Sequence, residues 1–342
     1  MAKRVTLDDV AEHAGVHKAT ASRALNERTQ HQVNAETLKR VRRSARELGY
    51  QPDVVARSLR TSSTQTIGII IPDLMNPIFP PLVRGIEHFL QPRGYSALIV
   101  NTDGYAHTEA EAFDSLMQRR VDGFILATGR LATQEFLVDA RERGVRIVMA
   151  NRSADAGFPV VMGDNAAGIE AAVQHLAGLG HRRIAHFAGP DDFSTARARA
   201  VAFDRAVSAA GVAGEVVPNV PFTAEAGEAA MDALIARPGP RPTAIVAGND
   251  LVALGAIRSM RAHGLHCPRD ISVVGFNDMP YAGDFSPALT TVRVPLREIG
   301  IEAARTLLSA IEGADDTRQE RVTIMLPVSL IVRESTGPAA RD

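Results

Sequence analysis

Residues 5–26 read VTLDDVAEHAGVHKATASRALN, and this run predicts two short helices joined by a tight turn. Thr6 is placed to cap the first helix, with Asp9 three residues on as a variant of the capping box. Apolar residues at helical spacing give that helix one buried face, and Gly15 ends it as a C′ glycine does. A third helix is predicted within residues 34–50, NAETLKRVRRSARELGY, and ends at Gly49. Together they form a helix-turn-helix arrangement.

The second helix of this head has two chemically different faces. Ala21 and Leu25 point inward, whereas Lys18, Ala19 and Arg23 point outward. An arginine fork matches the O6 and N7 acceptors of guanine in a major groove. An ordinary three-helix bundle with a solvated basic face has the same composition, so the pattern alone leaves both interpretations open.

Charge is distributed unevenly along the chain of 342 residues. Residues 1–62 contain 12 Lys and Arg against 7 Asp and Glu, and the remainder contains 26 against 32. A basic head on a mildly acidic body indicates that only the head meets a polyanion, although chance fluctuation also gives such an asymmetry.

The composition excludes several classes of protein. A 45% hydrophobic chain of this length predicts two or so globular domains rather than disorder. No apolar run is long enough to span a membrane, and the first residues contain no secretory h-region. The single cysteine, Cys267, excludes a disulfide framework. We therefore expect a cytoplasmic protein with no membrane partner.

From residue 66 onward, apolar runs such as TIGIIIPD, RIVMANR and ISVVGFND alternate with helical stretches. Continuous apolar strands of this kind are typical of a parallel sheet covered by helices on both faces. Polar residues follow many of these strands, where open α/β sheets bind ligands, although such residues also cap the helices that follow. They are Asp73, Asp103, Asn151, Asp164 with Asn165, Asn249 with Asp250, and Asn277 with Asp278.

Enzymatic interpretations lack the motifs that they require. The sequence contains no dinucleotide-binding fingerprint after a strand, no Walker A motif and no nucleophile elbow. His263, His266 and Cys267 lie close together, but no further cluster completes a metal site. We predict no catalytic residue, no metal and no cofactor.

Residues 5–26, together with LGYQPDVVARSLRTSSTQTIGIIIPD at 48–73, resemble the LacI family of bacterial transcription regulators, and the resemblance continues to about residue 334. It implies an α/β fold: a small all-α helix-turn-helix head followed by two doubly wound parallel-sheet lobes of periplasmic-binding-protein-like type. The implied boundaries are a DNA-binding domain at 1–49, a hinge helix and linker at 50–64, a first lobe at 65–163 plus 291–322, and a second lobe at 164–290 plus 323–336.

The resemblance also implies residues that contact DNA. His17 replaces the serine that usually caps the recognition helix, and Ala21 replaces a valine. In the hinge, Leu59 would wedge into the minor groove, with Val55 and Ala56 between paired helices; a linker helix with its leucine buried in its own domain is the alternative. The implied DNA-binding set is Thr6, His17, Lys18, Ala19, Thr20, Ser22, Arg23, Asn26, Val55, Ala56 and Leu59.

A small-molecule effector is implied between the lobes, and a sugar, a sugar acid and a sugar phosphate are all compatible with it. Asn277 replaces the usual aspartate, and with Arg152 and Arg197 nearby this weakly favours an anion; alternatively, both arginines face solvent or pair with acids. A structural Arg199 would instead pair with Asp204 or Glu225. The implied effector-binding set is Phe79, Arg152, Asp164, Phe193, Thr195, Arg199, Phe222, Asn249 and Asn277.

These expectations define a ligand-responsive, sequence-specific DNA-binding regulator that is not an enzyme. The resemblance favours a repressor of carbohydrate or sugar-acid genes, acting as a homodimer on a palindromic operator within the nucleoid. A sugar-binding transport receptor is the alternative, but it predicts a secretion signal and no helix-turn-helix. The sequence leaves open whether the effector releases DNA or is needed to bind it.

Overall fold

The computed structural model describes residues 5–26, 29–50, 63–103, 106–131, 134–154, 156–313 and 321–339. The chain divides into two compact units, Met1–Thr64 and Gln65–Asp342. We call them the head and the body.

The head is a small helical domain. It contains α1 (Leu7–His13), α2 (Lys18–Ala24), a 3₁₀ turn (Gln30–Gln32) and α3 (Ala35–Glu47). Its core consists of small and branched side chains, among them the fully buried Val10, Ala21 and Val41. The three helices therefore pack as the apolar pattern predicts.

The predicted ends of the head helices are confirmed. The Thr6 hydroxyl accepts a hydrogen bond from the Asp9 amide, and the Asp9 carboxylate accepts one from the Thr6 amide at 2.7 Å, which completes a capping box. Gly15 and Gly49 follow α1 and α3 with φ of 61° and 66°. An L side chain is strained in that left-handed conformation, so glycine suits both turns.

The body contains two sheets covered by helices. The first-lobe strands are β1 (Thr66–Ile71), β2 (Ser96–Asn101), β3 (Gly123–Leu126), β4 (Ile147–Ala150), β5 (Val160–Gly163) and β11 (Thr323–Leu326), in the spatial order β11-β5-β4-β3-β1-β2. The second-lobe strands are β6 (Arg183–Phe187), β7 (Ala213–Val217), β8 (Ala244–Ala247), β9 (Ser272–Asn277), β10 (Thr290–Arg293) and β12 (Ser329–Ile331), in the spatial order β12-β10-β9-β8-β6-β7. The first sheet is parallel, and the second is parallel except for its edge strand β12, which runs antiparallel to β10.

Four helices cover each sheet. Those of the first lobe are α4 (Phe79–Leu90), α5 (Ala106–Gln118), α6 (Glu135–Glu142) and α11 (Leu296–Glu312). Those of the second lobe are α7 (Asn165–Gly178), α8 (Ser194–Ala210), α9 (Ala224–Ala236) and α10 (Asp250–Ala262). The central strands β3, β4, β8 and β9 are buried along their whole length, as expected for sheets covered on both faces.

Glycines let some of these helices approach closely. A Cβ on Gly85 of α4 would lie 2.0 Å from the Arg297 carbonyl oxygen of α11, and one on Gly300 would lie 2.1 Å from the Leu82 carbonyl oxygen. The two helices therefore touch backbone to backbone, and α11 is held firmly on the first lobe.

The points at which the chain changes lobe differ from the sequence expectation. Strand β10, placed largely in the first lobe by the sequence, pairs with β9 in the second sheet. Strand β11, placed in the second lobe, pairs with β5 in the first sheet, and only β12 returns to pair with β10. The two short apolar runs TIML (β11) and SLI (β12) look alike in the sequence. Which sheet each of them joins is therefore visible only from its neighbour in the fold, β5 for β11 and β10 for β12.

Among the described residues, no helix is long and apolar enough to cross a membrane.

Candidate functional site

Helix α2 presents polar side chains on the head surface. His17, Lys18, Ala19 and Arg23 are exposed, whereas Ala21 is fully buried. Thr20, Ser22 and Asn26 are half-buried at the margin of this face. The outward and inward residues of α2 are thus those that the sequence predicts.

His17 supplies the cap of α2 in place of a serine. Its Nδ1 accepts a hydrogen bond from the Ala19 amide at 3.2 Å, which assigns the proton of the neutral ring to Nε2. Lys18 Nζ lies 2.7 Å from the Asp8 carboxylate of α1, and both side chains are more than half exposed. Such exposed pairs are weak, so Lys18 remains free to exchange partners.

Other predicted DNA contacts divide into two groups. The Thr6 hydroxyl donates to the Asp9 carboxylate at 2.7 Å and belongs to the α1 cap. The hinge residues Val55, Ala56 and Leu59 lie outside the described residues.

In the body, Arg199 is buried on α8, the second-lobe helix whose first residue, Ser194, contacts Ser153 of the first lobe. The Arg199 Nε donates to Asn165 Oδ1 at 2.8 Å, and its Nη1 donates to the Gly248 carbonyl at 2.6 Å. Its guanidinium carbon also lies 3.6 Å from the centre of the Phe276 ring. These contacts replace the pairing with Asp204 or Glu225 that the sequence left open.

Arg199 stays positively charged at neutral pH although its surroundings lower its pKa. Burial and the neighbouring Arg152 lower its pKa to about 9, while Asp250 acts in the opposite direction. At neutral pH the guanidinium is therefore a cation that is held in place and largely shielded from water. We call the buried polar residues of this part of the second lobe, which include Arg199, Asn165, Asn249 and Asn277, the second-lobe wall.

Two predicted second-lobe residues act as helix caps. Asn249 Oδ1 accepts from the Val252 amide at 2.8 Å, and its Nδ2 donates to the Phe222 carbonyl at 3.2 Å. Asp164 accepts from the Ala167 amide at 3.0 Å. The capping interpretation is therefore confirmed for both residues.

The remaining predicted side chains of this wall are mostly buried. Thr195 lies in the first turn of α8, and Asn277 ends β9 with a φ of 113°. A non-glycine residue in that conformation is strained, and strain of this kind concentrates at ligand-binding positions.

Two buried groups of the same wall, Asn165 and Asp250, were noted in the sequence as polar residues that follow strands but are absent from the implied effector-binding set. Asn165 joins Arg199 to the Gly163 carbonyl. Asp250 accepts from the Thr291 hydroxyl at 2.5 Å and from the Met279 amide at 2.7 Å, and burial raises its pKa to about 6. Both directly follow residues in the predicted set, and their position after a strand was the available signal.

Phe193 and Phe222 form an aromatic surface in the cleft. Their ring centres lie 6.2 Å apart with planes inclined by 15°. A Cβ on Gly189 would lie 2.1 Å from the Phe222 ring, so glycine is required for this ring to occupy its place. Phe79, by contrast, is 1% exposed and lies in the hydrophobic core at the start of α4.

The first-lobe side of the cleft is formed by Glu109, Thr128, Gln134 and Arg152, which we call the first-lobe cluster. Glu109 accepts hydrogen bonds from the Thr128 hydroxyl and, at 3.0 Å, from the Gln134 amide. Arg152 Nη1 donates to the Thr128 carbonyl over a long 3.4 Å. Buried Arg152 Nε and Gln134 Oε1 have no hydrogen-bond partner in the described part of the chain.

The charges of the cleft largely oppose one another. Burial raises the pKa of Glu109, whereas burial and Arg130 lower the pKa of Arg152 to about 10. Arg130 forms an ion pair with Asp192. Arg197 is exposed. Carboxyl groups therefore lie near the buried arginines: Glu109 near Arg152 and Asp250 near Arg199.

Direct contacts join the two lobes, and we call them the clasp. Arg130 pairs with Asp192, and the Leu131 amide donates to the Asp192 carbonyl at 2.8 Å. The Ser153 amide donates to the Ser194 hydroxyl at 2.9 Å. The Arg152 guanidinium completes the clasp, 3.8 Å from the centre of the Phe193 ring.

The cluster of possible metal ligands in the sequence has other partners. His266 contacts Asp270 and Arg269, and the Cys267 thiol donates to the Ser335 carbonyl. Burial raises the pKa of Cys267 to about 12, so the thiolate is not formed at neutral pH. The described residues contain no group of three suitable ligands.

Known proteins resemble both parts of the chain. Residues 6–53 match the family model of bacterial regulatory proteins, lacI family, and residues 173–336 match the periplasmic binding protein-like domain. The ribose operon repressor of Halalkalibacterium halodurans is 35% identical, with 97% of each chain covered. The HTH-type transcriptional repressor CytR of Escherichia coli is 34% identical, with 97% of this chain and 96% of CytR covered.

The chain also resembles solved structures of LacI family proteins. A lac repressor dimer bound to operator and the anti-inducer ONPF matches with a TM-score of 0.86 and 28% identity, over 98% of this chain and all of that one. A ribose-bound LacI family regulator from Enterococcus faecium matches with a TM-score of 0.71 and 28% identity, over 80% of this chain and all of that one.

Proposed function

Because the chain belongs to the LacI family of bacterial regulatory proteins, we propose that it represses genes of carbohydrate or sugar-acid use as a homodimer on a palindromic operator. It is a ligand-responsive, DNA-binding transcriptional repressor and not an enzyme. In this proposal a sugar-sized effector binds between the lobes, and the protein acts on chromosomal DNA in the cytoplasm.

The exposed face of α2 carries the proposal. Ala21 and Ala24 are buried and fix the helix to the head, while Lys18 and Arg23 face solvent. A helix held in this way suits insertion into a major groove, with Arg23 reading guanine and Lys18 meeting a base or a phosphate. The basic charge of residues 1–62 supports the same role.

Exposed apolar side chains on the first lobe support the homodimer. Leu74 and Met75 are 49% and 86% exposed, and Leu98 and Ile99 on the edge strand β2 are 37% and 40% exposed. An exposed edge strand with apolar side chains is an aggregation hazard unless something covers it. A second copy of this chain is the proposed occupant, in line with the dimeric lac repressor that the chain resembles.

The effector is proposed to be a sugar because the cleft combines aromatic faces with several buried polar groups. Phe193 and Phe222 offer apolar surface, and Arg199 with Asn165 offers fixed hydrogen-bonding groups. Sugar ligands need both, and two LacI family regulators similar to this chain have been solved with bound ribose.

Selection of DNA from a random library by the full-length protein tests the proposal. We expect selected sites with two-fold symmetry and a sedimentation mass of two chains. Arg23→Ala should lose about 1–3 kcal/mol and relax discrimination at one position of each half-site. Arg43→Ala, on the exposed side of α3, is the control and should leave the base preference unchanged. Selected sites without symmetry would contradict the proposed docking.

A further inference from the structure

The first-lobe cluster contains two polar atoms that the fold buries and leaves unpaired. One is a donor, Arg152 Nε, and the other is an acceptor, Gln134 Oε1. Buried polar groups in native proteins are almost always hydrogen-bonded, so an unpaired donor and an unpaired acceptor together indicate a missing partner.

We propose that Glu109, Gln134 and Arg152 form a subsite for hydroxyl groups of an uncharged effector, and that Glu109 makes the cleft reject anionic sugars. The inference rests on the proposed function, because it takes the cleft to be the effector site. It adds residues of the first lobe and decides between the neutral and the anionic ligand.

The contacts link both unpaired atoms to the same pair of residues. Gln134 donates its amide to Glu109, and Glu109 accepts from the Thr128 hydroxyl. Arg152 donates to the Thr128 carbonyl through Nη1. The unpaired donor and the unpaired acceptor therefore lie at the two ends of one short chain of contacts.

The orientation of Gln134 decides which chemistry fits. Its Nε2 donates to Glu109 Oε2 at 3.0 Å, so Oε1 is the atom left unpaired among the described residues. That oxygen needs a hydrogen-bond donor. A hydroxyl donates one hydrogen bond and accepts another, whereas an ionised carboxylate group donates none.

Charge leads to the same conclusion. Glu109 is 2% exposed and lies near Arg130 and Arg152, and Arg130 is itself paired with Asp192. Arg130 is thus already paired, and the carboxyl group of Glu109 lies near Arg152. An anionic ligand would meet Glu109 in a poorly hydrated site, where like charges repel strongly.

The aromatic surface completes the recognition of a ring. Arg152 lies over the face of Phe193, which stands beside Phe222. A sugar ring offers an apolar C–H face to such a surface and hydroxyl groups at its edge, and both features match what surrounds the first-lobe cluster.

A matched panel of ligands tests the subsite with the full-length protein. The probes are ribose, xylose, glucose and galactose, with the aldonate and the phosphate ester of each. Binding is measured as the ligand-dependent rise in melting temperature, which does not depend on whether the ligand releases DNA. Operator binding without ligand is measured on the same preparations.

We expect at least one neutral sugar to stabilise the wild type, at a lower concentration than its aldonate and phosphate. Gln134→Leu should weaken that response by about tenfold or more, since a ligand hydroxyl loses its acceptor. Glu109→Gln should reduce the preference for the neutral sugar over its aldonate. Glu111→Gln, on the exposed side of the same helix, is the control and should change neither.

Two results would overturn the inference: a response confined to the anionic ligands, or no response to any neutral sugar. It would also be overturned if Gln134→Leu left the sugar response unchanged, because the unpaired atoms would then hold only a buried water. Gln134→Leu keeps the test valid if Glu109→Gln does not fold. Failure of the proposed function is distinguishable, because it would appear as loss of symmetric operator selection by the wild type.

Discussion

The two walls of the cleft differ in how they hold a buried arginine. On the second lobe, Arg199 donates to Asn165 and Gly248 over 2.8 and 2.6 Å and stacks on Phe276. On the first lobe, Arg152 also stacks on a ring, that of Phe193, but among the described residues it makes one hydrogen bond, of 3.4 Å, and its Nε is unpaired. Both side chains are 4% exposed, so burial alone does not explain the difference.

The comparison separates a buried arginine that has several hydrogen bonds from one whose Nε has no partner among the described residues. A fully paired polar network fixes its geometry before binding, whereas an incomplete one gains hydrogen bonds only when a partner arrives. The Arg199 contacts are thus in place without a ligand, although His186 Nε2 of the same lobe is also buried without a partner among the described residues. In the proposed subsite, the first-lobe groups gain their missing hydrogen bonds from the ligand.

The largest effect on stability is expected from removing the hydrogen bonds of Arg199. Arg199→Met leaves the Gly248 carbonyl and Asn165 without their buried donor, and should lower the free energy of unfolding by about 3–5 kcal/mol. Urea denaturation measures this. Arg197→Met is the control: it lies two residues earlier on the same helix, is exposed, and should change stability by less than about 0.5 kcal/mol. Equal midpoints for the two variants would mean that the Arg199 contacts are not structural.

The next effect concerns pH and two opposing groups of the second lobe. Burial lowers the pKa of His186 to about 4, so its contribution to stability is present above pH 6.5 and is lost as pH falls toward 4. Burial raises the pKa of Asp250 to about 6, so its contribution is present below pH 3.8 and is lost as pH rises through 6. Near pH 5, the changes in the free energy of unfolding with pH that His186 and Asp250 cause have opposite signs and nearly cancel.

Asp250→Asn removes the contribution of Asp250 to the pH dependence of stability and leaves that of His186. The variant should lose about 2 kcal/mol of stability between pH 7 and pH 5, because His186 then acts without opposition. The wild type should change less over the same range. Chemical denaturation at several pH values gives both slopes, and parallel slopes would contradict the opposing roles of the two groups.

The smallest effect on stability is expected from replacing Arg152 of the first-lobe cluster. Arg152→Met removes an unpaired buried donor and keeps a flexible side chain against Phe193, so the free energy of unfolding should stay within about 1 kcal/mol of the wild type. Glu109 retains its hydrogen bonds from Thr128 and Gln134 in this variant. A loss as large as that of Arg199→Met would remove the contrast between the walls.

Local patterns in the sequence were sufficient for the head. Thr6, Asp9 and Gly15 lie within one turn of the element that they end, so their roles follow from spacing alone. The family motif marks Arg199 as an effector contact, and that role stays a prediction. The family fold is confirmed by the relatives and solved structures that match nearly the whole chain.

What the sequence did not reveal depends on contacts between distant residues. Glu109 and Gln134 are 25 residues apart and share no motif, and only the fold brings them together. Strand β11 was misplaced because its apolar run is as compatible with one sheet as with the other. The local pattern of apolar and polar residues predicts neither a hydrogen bond between distant residues nor the sheet that an edge strand joins.

The clasp has a consequence for timing. A ligand that enters between the lobes must first part Arg130 from Asp192 and Ser153 from Ser194. We therefore expect association to be limited by the frequency of lobe opening rather than by diffusion, and the bound ligand to leave slowly for the same reason. A cell would then respond to the recent average of effector concentration, with brief fluctuations filtered out.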